Sequence, residues 1–123
     1  EALLKAIAES NTSIALATST AFEHAQIKLK NSQLAGYFDV VVAGDQVTNS
    51  KPDPEIYLKA ASLLNSASSD CIAFEDSENG VRAALGAGLN VIQVPDLVQP
   101  TEDLKSLGHT IIDSLSEFRW TNR

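Results

Sequence analysis

The sequence predicts a parallel α/β layer fold, a Rossmann-like sheet with helices on both faces. Three observations carry this. Short aliphatic runs recur along the chain, at Ser13–Ala17, Asp39–Ala43, Cys71–Phe74 and Asn90–Val94. Stretches with apolar residues at helical spacing separate them. Each run gives way to hydroxyl, acidic, glycine or proline residues, as buried strands of a parallel sheet do. Regular alternation of strand and helix is the mark of that architecture.

Taken in order, residues 1–10 place Leu3, Leu4 and Ile7 on one helical face. Ser13–Ala17 is the first strand. Residues 20–31 read as a helix with Phe22, Ala25 and Leu29 on one side. Asp39–Ala43 is the second strand, closed by Gly44. Asp53 caps and Pro54 starts the next helix, whose apolar stripe is Ile56, Tyr57, Ala60, Ala61 and Leu64. Cys71–Phe74 is the third strand. Ser77 is a good N-cap for a helix running through Val81 to Leu85 and stopping at Gly86 and Gly88. Asn90–Val94 is the fourth strand, ended by Pro95. Residues 95–107 read as a surface connection, His109–Ile112 as a short edge strand and Ser114–Trp120 as a final helical turn, with Trp120 a packing anchor.

Composition narrows the function classes. The 123 residues suit one domain, 1–123, with a real core. Hydrophobic content is 44% but aromatic content only 6%, so that core is aliphatic. A net charge of −7 offers no broad surface for tracking phosphates, so no nucleic-acid partner is expected. No apolar run approaches the roughly 20 residues of a membrane span, and no leader pattern opens the chain. The single Cys71 cannot form an intrachain disulfide and fits a reducing, cytoplasmic setting. The chain opens at Glu1 and holds no methionine, so it is expected to be a piece of something longer.

Three polar motifs fall just after strands. Thr18-Ser19-Thr20 sets hydroxyls beside a helix start, which suits a phosphate but equally suits ordinary N-caps. Ser50-Lys51-Pro52-Asp53-Pro54 holds one lysine in a loop fixed by two prolines; a loop lysine is usually just solvated. Glu75-Asp76 puts two carboxylates at a strand's end, where Mg²⁺ would neutralise them, or where they form a solvated turn. In open parallel sheets, ligands bind outside the carboxyl ends of the strands. All three motifs are expected at that edge. His24 and His109 read as surface residues without chemistry.

In this order the motifs resemble the haloacid dehalogenase-like hydrolases, in the branch of sugar-phosphate phosphatases and β-phosphoglucomutase. The residues that carry the likeness are Ile14-Ala15-Leu16-Ala17-Thr18-Ser19, the Lys51 loop, and Phe74-Glu75-Asp76-Ser77 with Gly80. The flanks Leu34–Asp39 and Ala83–Gly88 agree. The resemblance implies that Thr18 and Ser19 bind the phosphoryl group and that Lys51 neutralises its charge. Asp76 would bind Mg²⁺, with Glu75 as a second ligand or an outer partner. The substrate would be a small phosphorylated metabolite, with Thr18 and Lys51 acting in catalysis.

One departure is clear. The family attacks phosphorus with the first aspartate of an Asp-x-Asp loop, and no Asp-x-Asp occurs here. The nucleophile, its acid/base partner and the substrate-selecting cap are expected upstream, along with the central nucleophile strand. That strand would lie between Ile14–Ala17 and Cys71–Phe74, so the slot is expected to be filled by an N-terminal segment or a second copy, not closed by direct pairing. The branch leaves mutase transfer open; Ala21 and Phe22 after the hydroxyl motif favour hydrolysis. A phosphoacceptor receiver domain is disfavoured, because its acidic pair precedes its hydroxyl and lysine. A non-catalytic binding fragment is the remaining rival.

Overall fold

The architecture is given by a computed structural model that describes residues 6–7, 9–10, 12–94 and 107–112. The readings of Leu3 and Leu4, of the connection over 95–106, and of the turn with Trp120 lie outside these residues.

Among the described residues, five strands and three longer helices follow one another as the alternation predicts. They are β1 (Ala15–Ala17), α1 (Phe22–Ser32), β2 (Val40–Val42), α2 (Glu55–Leu63), β3 (Ile72–Glu75), α3 (Glu78–Gly86), β4 (Asn90–Gln93) and β5 (Thr110–Ile111). The strands are one or two residues shorter than the aliphatic runs at β1, β2 and β4. β3 runs one residue further than expected and carries Glu75 as its last position. Ahead of β1, Ile7 sits in a helical stretch and is buried.

Every pairing among the described residues is parallel. Ala15, Leu16 and Ala17 lie opposite Val40, Val41 and Val42. Ile72 to Glu75 lie opposite Asn90 to Gln93, and Ile92 and Gln93 opposite Thr110 and Ile111. The strands form two ladders, β1–β2 and β3–β4–β5. β1 and β3 do not pair with each other, so the closed arrangement is excluded.

The core lies where α2 and α3 pack on the strands and on each other. Val42, Ile56, Tyr57, Ala60, Ala73, Val81, Ala83, Ala84, Ala87 and Val91 form one buried cluster. Many of these are alanines, and small side chains let helix and sheet backbones come close. Phe22, expected on the inner face of α1, is 37% exposed, while Ala25 and Leu29 are buried.

The caps place the loops. Ser77 Oγ accepts from Gly80 N–H at 3.1 Å, as its N-cap role predicts. Asp53 Oδ1 accepts from Glu55 N–H at 3.0 Å at the start of α2. The N-terminus of α1 is different. No hydroxyl of the Thr18-Ser19-Thr20 run caps it; Phe22 N–H donates to Asp45 Oδ1 at 3.0 Å, from the turn after β2. His109 is not a plain surface residue either. Its Nε2 meets Oε1 of the buried Gln93 at 2.7 Å.

Candidate active site

Lys51 is the hub of the carboxyl edge. It is half-buried ahead of α2, its bond to Pro52 is cis, and its ammonium reaches both ladders. Nζ donates to the Ala17 carbonyl at 3.3 Å, at the end of β1, and to Glu75 Oε2 at 2.6 Å, at the end of β3. One cation therefore ties together the points from which Thr18 and Asp76 project. The pair is well shielded, with side-chain exposures of 11% for Lys51 and 8% for Glu75. Water screens such a pair far less than one on the surface.

Glu75 has a second donor. The Tyr57 hydroxyl, from the first turn of α2, donates to the same Oε2. The Lys51 ammonium also lies 5.1 Å from the Tyr57 ring centroid, within cation–π range. Burial, and then the negative charges of Glu75 and Asp76, push the Tyr57 phenol far above its ordinary range. The phenol stays protonated and remains a donor. Gly80 closes the other side: a Cβ there would run into the Glu75 carboxylate.

The hydroxyl loop is built by close backbone approach. Thr18 N–H donates to Val42 C=O at 3.0 Å, and Gly44 N–H to Thr20 C=O at 2.9 Å. A Cβ on Gly44 would collide with the Ser19 carbonyl, so only glycine fits. Thr18 Oγ1 accepts from Thr20 N–H at 3.2 Å, which orients the hydroxyl and leaves its proton available. Ser19 is exposed.

Among the described residues, no three or more His, Cys, Asp or Glu side chains gather to hold a metal ion. The acidic pair divides instead. Glu75 Oε2 is committed to Lys51 and Tyr57, whereas Asp76, one residue beyond the strand, is exposed. A hard cation that keeps several waters fits one open carboxylate of this kind. Cys71 is free, but its thiol is held above its usual range by burial and then by Asp70, which rules against a thiolate nucleophile.

The haloacid dehalogenase-like hydrolase family matches residues 1–94. The chain belongs to this family. A phosphorylated-carbohydrates phosphatase of Thermotoga maritima is 46% identical over 94 residues, covering 76% of this chain and 43% of that protein. Fructose-1-phosphate phosphatase YqaB of Escherichia coli is 35% identical over 81 residues, covering 66% of this chain and 43% of that protein. The crystal structure of CbbY from Rhodobacter sphaeroides in complex with phosphate superposes with a TM-score of 0.85 at 32% identity, over 94% of this chain and 52% of CbbY. The chain thus spans about half the length of these relatives. Its sheet and helices are those of the haloacid dehalogenase-like α/β fold.

Thr18, Ser19, Lys51, Glu75 and Asp76 are all expected at one edge from the sequence; Tyr57 reads there only as part of the apolar stripe of α2, and its bond to Glu75 is new. The signal was present: a tyrosine among buried aliphatics brings a hydroxyl that must find a partner. The roles of Gly44 and Asp45 are not legible there either, since they depend on contacts made after folding.

Proposed function

We propose that the intact protein is a Mg²⁺-dependent phosphatase of small phosphate monoesters, sugar phosphates in particular. The observation that carries this is Lys51, held between the carboxyl ends of β1 and β3 by Ala17 and Glu75, the residues that immediately precede Thr18 and Asp76. Phosphoryl transfer asks mainly for positioning and charge stabilisation. In this reading Thr18 and Ser19 donate to the phosphoryl oxygens, and Lys51 neutralises their charge. Asp76 would hold Mg²⁺, with Glu75 as a second ligand or an outer partner, and the metal would supply positive charge as charge spreads over the phosphoryl group. An aspartate carboxylate from outside these 123 residues attacks phosphorus, the ester P–O bond breaks, and the leaving alcohol takes a proton; water then releases phosphate from the acyl phosphate. The relatives named phosphatases support hydrolysis over transfer to a second hydroxyl.

The test is phosphate release by the intact protein from a panel of hexose and pentose phosphates, with Mg²⁺ and with EDTA. The expected result is release that requires Mg²⁺ and is lost in Lys51→Ala. No release from any monoester, or full activity in Lys51→Ala, would overturn the proposal.

A further inference from the structure

We infer that Tyr57 and Gly80 form a clamp on the Glu75 carboxylate, and that Tyr57 is a positioning residue fixing the Lys51 ammonium at the carboxyl edge of the sheet. The inference deepens the phosphatase reading, and rests on it for its consequence in catalysis.

A lysine on a loop has four rotatable bonds and no directional preference of its own. Something must hold its head where a phosphoryl group can meet it. The Ala17 carbonyl is one anchor, rigid because it ends a paired strand. The other is Glu75 Oε2, which belongs to a flexible side chain and needs holding in turn. Two features do so. The Tyr57 hydroxyl donates to that same oxygen from α2, where the residue is 8% exposed and packed in the core. On the far side the carboxylate lies against the backbone of Gly80, in the first turn of α3 and itself buried. Ser77 pins that turn through its bond to Gly80 N–H.

The arrangement is thus layered: helix α2 supplies the hydroxyl, helix α3 the wall, strand β3 the carboxylate. Lys51 is aimed through all three. A purely structural Tyr57 would need only some acceptor for its hydroxyl. Placing that acceptor on the oxygen that holds Lys51 couples the two. The carboxylate can take both donors, since each oxygen accepts more than one hydrogen bond.

Tyr57→Phe keeps the ring and removes only the hydroxyl; Gly80→Ala pushes on the carboxylate from the opposite side. Each variant of the intact protein, free of Mg²⁺, would be reductively methylated with formaldehyde and a borane. Labelling at Lys51 would be read by mass spectrometry against exposed Lys28 and Lys30. The expected result is a rise of about fivefold at Lys51 relative to those two, the weight of one hydrogen bond. Turnover of a phosphate monoester by Tyr57→Phe should fall in kcat with KM little changed. An unchanged Lys51 ratio in either variant overturns the clamp, as does a rise shared equally by all three lysines. Labelling does not depend on activity. A wild-type protein that releases no phosphate therefore sinks the phosphatase reading, while the Lys51 ratio still judges the clamp.

Discussion

The Lys51 ammonium lies 2.6 Å from the Glu75 carboxylate, and the two side chains come from opposite sides of the break between the ladders. The contact is too shielded to be decorative. Taking both charges out of water carries a cost that their attraction and the added bonds from Tyr57 and to Ala17 must offset. Such a pair is kept for what it places.

Lys51→Ala should destabilise the fold as well as stop turnover. It leaves the Glu75 carboxylate shielded, with the Tyr57 hydroxyl still donating to it. Breaking a buried pair from one side costs about 3 kcal/mol. Urea unfolding measures this, and Lys51→Ala combined with Glu75→Gln should recover part of the loss. A single variant within about 0.5 kcal/mol of wild type would show the pair to be as weak as a surface one.

Gly44→Ala should be costly and Gly36→Ala should not. A Cβ at Gly44 meets the Ser19 backbone, whereas one at Gly36 meets nothing within 4 Å. The first should lose about 1–3 kcal/mol and disturb the Thr18-Ser19-Thr20 loop, seen as a raised KM if that loop binds phosphate as proposed. The second should change stability by less than about 1 kcal/mol. Equal melting temperatures for the two variants would contradict this.

Asp45→Ala should loosen the start of α1 by about 1 kcal/mol, the usual weight of a lost cap, while Asp45→Asn should keep most of it. Thermal unfolding of the three proteins checks the order. An alanine variant that melts with wild type would remove Asp45 from that role.

Acid should weaken the fold partly through His109. Among the described residues its Nδ1 is buried without a partner, and burial lowers its pKa from the ordinary 6.5. The unfolded chain therefore takes up a proton at a higher pH than the folded one does. Stability from this group is complete above 6.5 and declines as pH falls from there toward the lowered folded value. His109→Gln can still donate to Gln93 and does not titrate. Its urea midpoint should fall less than that of wild type between pH 7.5 and 5.5, conditions chosen to span about one unit either side of the ordinary value. Parallel slopes would refute the assignment.

Much of the fold was legible because short aliphatic runs and helical stripes are local patterns, and their alternation admits few topologies. The three motifs were legible as a set because a parallel sheet brings its carboxyl ends to one edge. Legibility ended where a role depends on a residue far off in sequence. Asp45 became a cap only by meeting Phe22, and Gly44 mattered only because Ser19 came to rest against it. The hydroxyl run looked like a helix cap by composition, yet tertiary contact gave that task to another side chain. Strand ends shifted by a residue or two for the same reason, since ladder length is set by the neighbour.

The Lys51 bridge also bears on how the molecule breathes. Within the described residues β1–β2 shares no strand pairing with β3–β4–β5, and the contact of α2 with α3 and the Lys51 bridge join the two ladders. Cutting the bridge should lower the hydrogen-exchange protection of amides near Ala17 and Glu75, so that the lysine proposed to meet phosphate also sets how tightly these two strand ends fluctuate together.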